Sequence, residues 1–132
     1  MHNKAINKYK KAEAAYNQEK SPTEIVATLL NELTRSMGLV VENIENEKLN
    51  NERKNLQNKS KYFTRALVAI YSLQTSLDFD EGGNLAIQLF QLYEFCRQQL
   101  IKGFSRRITE GIRKAIQALN EISSAWDSLV SA

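Results

Sequence analysis

Apolar residues recur at steps of three and four along most of this chain, which is the spacing of one face of an α-helix. The first stripe follows Ser21-Pro22-Thr23-Glu24, where the serine can cap a helix, the proline fits its first position and the glutamate can reach back. The members of this stripe are Val26, Leu30, Leu33, Met37, Val40, Val41 and Ile44. The pattern predicts a first helix that begins near residue 22 and ends at a turn near residues 46–49.

Three further stripes follow along the chain. The second consists of Phe63, Ala66, Leu67, Ile70, Leu73 and Leu77, the third of Leu85, Leu89, Leu92, Tyr93, Cys96 and Leu100, and the fourth of Ile108, Ile112, Ala115, Ile116, Leu119, Ile122, Trp126 and Leu129. Paired glycines at 82 and 83 predict a reversal, which places the third helix at about residues 84–102, before a break at 103–107. We expect Leu30, Leu67, Ile70, Leu89, Ile116, Leu119 and Trp126 in the core.

Turn-forming residues are scarce, with one Pro and five Gly in 132 residues. An all-β fold needs such residues at the corner of every strand, so the composition argues against it. Four amphipathic helices joined by short turns predict an all-α, antiparallel four-helix bundle. We expect a single domain at 21–132. The weaker apolar pattern of residues 1–20 predicts a mobile arm or a short helix that packs on this domain.

Catalytic and metal-binding chemistry lacks the residues that it needs. The chain has a single histidine, His2, and a single cysteine, Cys96, so it offers no zinc spacing, no di-iron set and no internal disulfide. Cys96 lies on the third stripe, which predicts a packed and unreactive thiol. We therefore expect no enzyme, no cofactor and no metal.

Charge and hydropathy indicate where in the cell the protein is located and which classes of partner it can bind. The net charge is +3, but acidic and basic residues alternate along the chain, so nucleic acid is possible without being indicated. No apolar run approaches the roughly 20 residues of a membrane span, and residues 1–11 are polar without the apolar core of a signal peptide. We expect a cytoplasmic protein without membrane insertion.

Some apolar residues fall beside the stripes instead of within them. We predict that five of these contact a partner: Ile25, Leu29, Val68, Tyr71 and Phe90. Ile87, Phe95 and Ile101 also fall outside the third stripe. These side chains either widen the buried faces or are ordinary exposed hydrophobics, or together they form a groove for a helical or extended segment. Gly38 and Gly111 inside helices indicate either close packing at those points or plain tolerance of glycine there.

Several short motifs, in this order and spacing, resemble the flagellar secretion chaperones of the FliS type. They are Ser21-Pro22-x-Glu24-Ile25-Val26, Ser76-Leu77-Asp78-x-x-x-Gly82-Gly83, Leu92-Tyr93-Glu94-Phe95 and Ala125-Trp126. The match covers about residues 21–129, and the Leu-Asp-x-x-x-Gly-Gly element is its most specific part.

This resemblance implies a cytosolic, non-enzymatic export chaperone with an antiparallel bundle fold. Such a protein binds the disordered C-terminal region of flagellin, prevents premature polymerisation and escorts it to a component of the flagellar type III export gate. The arm would act as a movable cover, a role that falls to Tyr9 and Tyr16. We expect a monomer or a weak homodimer. Two alternatives stay open: a regulatory or self-associating helical module that binds another flagellar protein, and a nucleic-acid binder that uses the lysine-rich arm.

Overall fold

The computed structural model describes the backbone of residues 21–50 and 56–131 and the side chains of residues 21–49 and 60–125. These ranges contain the helices α1 (Pro22–Asn50), α2 (Leu56–Thr75), α3 (Phe79–Arg106) and α4 (Glu110–Ser131), and they contain no strand. The predicted all-α bundle is confirmed. Tyr9, Tyr16 and the side chain of Trp126 lie outside the described residues.

Neighbouring helices run antiparallel around the bundle. Phe63, near the start of α2, stacks on Phe104, near the end of α3, with ring centroids 4.1 Å apart. Gln74, near the end of α2, donates a hydrogen bond to Glu94 near the middle of α3. The four helices therefore close into a ring in which α1 packs on α2 and α4, and α3 packs on the same two.

The core is made by the predicted stripes. Of the expected core residues, Leu30, Ile70 and Leu119 are fully buried. Leu67, Leu89 and Ile116 pack against this core with part of their surface exposed. The prediction for Leu85 is wrong, because its side chain is mostly exposed while the neighbouring Ala86 is buried.

The ends of α1 are fixed by local and distant contacts. Ser21 caps the helix as predicted, since its hydroxyl accepts a hydrogen bond from the backbone N–H of Glu24 at 3.3 Å. The predicted turn near residues 46–49 is wrong, because α1 continues to Asn50. Arg113 pairs with Glu45 and Arg107 pairs with Glu47, so two ion pairs hold the last turns of α1 against the bundle.

The turn before α3 lies earlier than the glycine pair suggests. The Asp78 carboxylate accepts hydrogen bonds from the backbone N–H groups of Asp80 and Glu81, at 3.0 and 3.1 Å, and thereby starts a helical turn at Phe79. Gly83 then interrupts the helix at φ 51° and ψ −127°, a conformation that side chains disfavour. The reversal therefore combines an aspartate cap with a glycine kink.

The turn after α3 also differs from its predicted position. The helix continues through Gly103 to Arg106 and ends at Arg107, which adopts the left-handed conformation at φ 57°. The N–H of Ile108 donates to the Gly103 carbonyl at 3.0 Å, which closes the helix end. Consequently α4 begins at Glu110 instead of Ile108.

Close packing at glycines is found at one of the two predicted positions. A Cβ added to Gly111 would collide with the side chain of Gln99, whereas one added to Gly38 would meet nothing within 4 Å. The tightest backbone approach is at Gly103, which is buried against Ile112. Gly103 therefore sets the distance between α3 and α4.

Candidate partner-binding grooves

A shallow groove of about 240 Å³ lies between α1 and α2, and we call it the α1/α2 groove. Its lining residues are Leu29, Glu32, Thr64, Arg65, Val68, Ala69 and Ser72. Val68 is 58% exposed although it is apolar, so its side chain is available to a partner. Leu29 and Val68, predicted separately on two helices, meet in this groove.

A second groove of about 210 Å³ lies where α2 ends and α3 begins, and we call it the α2/α3 groove. Its lining residues are Val26, Leu73, Ser76, Leu77, Asp78, Gly82, Leu85, Ala86, Leu89 and Tyr93. Burial, with a smaller electrostatic contribution from Cys96, raises the pKa of Tyr93 to about 12, so its hydroxyl is neutral at physiological pH. The groove therefore has an apolar lining with Asp78 as its charged residue.

Aromatic side chains continue this surface along α2 and α3. Phe79 and Phe90 are both exposed and pack edge to face, with ring centroids 6.0 Å apart. Tyr71 on α2 is 68% exposed. Exposed aromatic side chains of this kind are frequent anchors of protein–protein interfaces.

A polar bridge crosses from α2 to α3 beside these aromatics. The Gln74 side-chain amide donates to Glu94 Oε2 at 3.2 Å, and Arg97 Nε donates to Glu94 Oε1 at 2.9 Å. The hydrogen bond from Arg97, followed by that from Gln74, lowers the pKa of Glu94. Glu94 is therefore an ionised carboxylate held in place by two donors.

A third groove, of about 330 Å³, lies between the end of α3 and the start of α4, and we call it the α3/α4 groove. Its lining residues are Phe95, Gln99, Lys102, Gly103, Ile108, Glu110, Gly111 and Lys114. Phe95 and Ile108 are 39% and 41% exposed. This groove differs from the others because cationic side chains stand beside its apolar ones.

The predicted contact residues are spread over more than one surface. Leu29 and Val68 share the α1/α2 groove, and Ile25 lies half-buried one turn earlier on α1. Tyr71 and Phe90 are exposed on α2 and α3. Whether these residues contact a partner stays a prediction.

Sequence reasoning did not select several exposed apolar residues. Phe79 lies between the second and third predicted helices, and Leu49, which is 82% exposed, lies at the turn predicted near residues 46–49. Leu85 and Ile108 belong to stripes that are predicted to be buried. For Phe79, the aspartate cap at position 78 was a usable signal, because it starts the helix before the glycines. Nothing comparable in the sequence marked Ile108.

Two observations on the described residues concern metal binding and thiol reactivity. Within them no group of three or more His, Cys, Asp or Glu side chains is placed to hold a metal ion. The Cys96 thiol is fully buried, and burial raises its pKa to about 12, as expected for a packed cysteine. No helix in the described part of the chain has the length and hydropathy needed to cross a membrane. The fold and the grooves define a helical bundle suited to holding a segment of another protein.

Comparison with known proteins gives the family. The family model of flagellar protein FliS matches residues 2–132. The flagellar secretion chaperone FliS of Vibrio cholerae serotype O1 is 29% identical over 109 residues, which cover 83% of this chain and 75% of that protein. The flagellar secretion chaperone FliSB of Pseudomonas aeruginosa is 30% identical over 78 residues, covering 59% and 62%. The chain belongs to the flagellar protein FliS family, which confirms the resemblance read from its motifs.

Proposed function

We propose that this protein is a cytoplasmic export chaperone, without catalytic activity, that binds the disordered C-terminal region of flagellin. It prevents premature polymerisation and escorts flagellin to a component of the flagellar type III export apparatus. The observation that supports this proposal is the set of exposed apolar side chains along α2 and α3 in a chain of the flagellar protein FliS family. Curated relatives carry the name flagellar secretion chaperone.

The physical reason for such a surface lies in the state of the cargo. A disordered segment with apolar side chains aggregates or assembles when it is free, and burying those side chains in a groove prevents this. The segment loses conformational entropy on binding, which limits the affinity and keeps release feasible. Grooves that accept single apolar anchors suit this task better than one deep cavity.

The binding surface is tested by calorimetric titration of a peptide from the C-terminal region of the same organism's flagellin. We expect binding with a negative heat-capacity change and little dependence on salt, because the contact is mainly apolar. Val68→Asp and Tyr71→Asp, both at exposed positions, should weaken binding about tenfold or more. No binding by the unaltered protein would refute the proposal.

A matched control is available on the same bundle. Leu49→Asp also places a carboxylate at an exposed apolar position, but Leu49 lies at the end of α1, away from Val68 and Tyr71. We expect the flagellin peptide to bind this variant as it binds the unaltered protein. Equal weakening of peptide binding in all three variants would show that the added charge, and not contact at Val68 and Tyr71, governs the affinity.

We further propose that Tyr9 and Tyr16 form a movable cover over the peptide-binding surface that includes Val68 and Tyr71. An arm that occupies the groove in the free protein lowers the apparent affinity by the fraction of molecules that are open. Deleting residues 1–20, or replacing both tyrosines by alanine, should therefore tighten peptide binding. Weaker binding after either change would contradict the cover and would place the tyrosines among the direct contacts.

The runner-up, a self-associating module, predicts a different result in sedimentation. We expect a monomer or a weak homodimer at micromolar concentration. A tight dimer that dissociates on Phe90→Asp or Ile101→Asp would favour self-association through α3 over the chaperone function.

A further inference from the structure

Charged side chains separate toward the two ends of the bundle, although they alternate along the sequence. The end where α1 begins and α3 begins carries Glu24, Asp78, Asp80 and Glu81. At the opposite end, where α1 and α3 finish and α4 begins, basic residues outnumber acidic ones. The basic residues are Lys48, Lys61, Lys102, Arg106, Arg107, Arg113 and Lys114, and the acidic ones are Glu42, Glu45, Glu47 and Glu110. Along the sequence acidic and basic residues alternate, but the antiparallel fold leaves an excess of acidic residues at one end and of basic residues at the other.

Acidic residues neutralise only part of the basic end. Glu47 pairs with Arg107 at the end of α3, and Glu45 pairs with Arg113 near the start of α4. Within residues 21–49 and 60–125, Lys102 forms no ion pair. Its charge is therefore available to a partner.

The α3/α4 groove lies at this basic end and combines the two features that an amphipathic segment needs. Phe95 and Ile108 give it an apolar lining, and both are partly exposed. Lys102 on α3 and Lys114 on α4 place one cation on each flanking helix. Apolar contact with a cation on either side favours a partner segment with apolar residues flanked by carboxylates.

The single acid in the lining does not oppose this charge preference strongly. Glu110 lies 3.5 Å from the Lys114 ammonium, and the two side chains are largely exposed. An exposed pair of this kind contributes little to stability, so a partner carboxylate can take the place of Glu110 beside Lys114. Because Lys102 also lines the groove, the charged lining residues carry a net positive charge.

The close approach of α3 and α4 makes this site a groove instead of a flat face. Gly103 and Gly111 carry no side chain into it, and the Gln99 side chain lies across the backbone of α4 at Gly111. A concave site that combines the apolar Phe95 and Ile108 with polar groups such as Gln99 suits an amphipathic helix of a protein.

We propose that the α3/α4 groove is a second docking site, which binds an acidic amphipathic helix of a protein partner. The site uses a different face of α3 from the α2/α3 groove, so both can be occupied at once. It does not depend on whether the chain binds flagellin. The partner is defined by its chemistry: an apolar stripe for Phe95 and Ile108, with carboxylates for Lys102 and Lys114.

Two synthetic helical peptides test this site on the full-length, ¹⁵N-labelled protein by NMR. Both carry leucine at i, i+3, i+4 and i+7, but one has glutamate and the other has lysine beside the leucine stripe. We expect the glutamate peptide to shift the amide signals of Gln99, Gly103 and Gly111, and to bind about tenfold or more tightly than the lysine peptide. Absence of these shifts, or equal affinity for both peptides, would overturn the proposal.

Charge-reversal variants add a result that unfolding cannot imitate. Lys102→Glu/Lys114→Glu should lose the glutamate peptide and gain affinity for the lysine peptide. The control is Lys48→Glu/Lys61→Glu, which changes the net charge equally at the same end of the bundle but outside the groove. This control should keep the preference for glutamate, and an equal loss in both variants would refute recognition by the groove.

Anionic vesicles test the alternative that the basic groove binds a membrane surface. Vesicles containing phosphatidylglycerol should bind the protein no better than neutral phosphatidylcholine vesicles do at physiological salt. Preferential binding to the anionic vesicles that is abolished by Lys102→Glu/Lys114→Glu would overturn the protein-segment assignment in favour of a membrane surface.

Discussion

Replacing Gly103 by alanine tests how α3 and α4 are held together. A Cβ at this position would lie 2.5 Å from the Cδ1 atom of Ile112 and 2.6 Å from the backbone oxygen of Ile108. The Ile112 side chain can rotate, but the backbone oxygen of Ile108 belongs to the turn that follows α3. Relief of the clash therefore requires this turn, and with it the start of α4, to shift.

The magnitude follows from comparison with Gly38→Ala. Each substitution gains up to about 1 kcal/mol from the higher helix propensity of alanine. At Gly38 an added Cβ meets nothing within 4 Å, so Gly38→Ala should stabilise the protein by nearly this amount. At Gly103 the overpacking costs about 1–3 kcal/mol. Because the propensity gain is common to both, Gly38→Ala should be more stable than Gly103→Ala by about 1–3 kcal/mol.

The assay is urea unfolding followed by circular dichroism at the helical band. The slope of the unfolding free energy against urea should be the same in both variants, since neither changes the surface exposed on unfolding. The midpoint should rise for Gly38→Ala and fall for Gly103→Ala. If Gly103→Ala proves as stable as Gly38→Ala, then α3 and α4 do not approach as closely as described, and the floor of the α3/α4 groove is wrong.

Three further predictions concern single side chains. Arg107→Gly should be more stable than Arg107→Ala by about 1 kcal/mol in thermal unfolding, because glycine adopts the left-handed conformation without strain; equal stability would contradict this backbone conformation. The lowered pKa of Glu94 means that its stabilising contribution is present above the carboxyl's ordinary pKa and is lost as the pH falls through the lowered value. Arg97→Gln should raise this pKa in an NMR titration, and an unchanged value would refute the pair. The buried Cys96, with a pKa of about 12, should react with a thiol reagent at pH 8 far more slowly in the native state than in urea.

The helices could be predicted from the sequence because their apolar residues follow the helical period so regularly. Every residue of the first stripe from Leu30 to Ile44 is buried. The end of α1 could not be predicted, since the polar residues after Ile44 are held by Arg107 and Arg113. Arg107 lies 60 positions from Glu47, and Arg113 lies 68 positions from Glu45. Only the antiparallel fold brings these charges together.

The grooves were predicted less completely than the helices. Leu29 and Val68 could be selected because each lies beside a clear stripe on its own helix. Phe95 was visible as an apolar residue outside its stripe, but its neighbour Ile108 fits the fourth stripe and was therefore expected to be buried. The helical period of apolar residues identifies the buried face of one helix. A groove depends on how two helices are placed relative to each other, and the period of either helix does not give that placement.

The Leu77 to Gly83 element is the most specific part of the family resemblance. It identifies the family but not the residues that contact a partner. Asp78 caps the first turn of α3, and Gly83 adopts a conformation that favours glycine, so the motif residues form the turn itself. Only Leu77, Asp78 and Gly82 also line the α2/α3 groove. The most specific motif thus encodes a turn, and changes at Asp78 or Gly83 should first alter stability. Affinity for a partner should instead depend on exposed side chains such as Val68 and Tyr71, whose identity the fold leaves free.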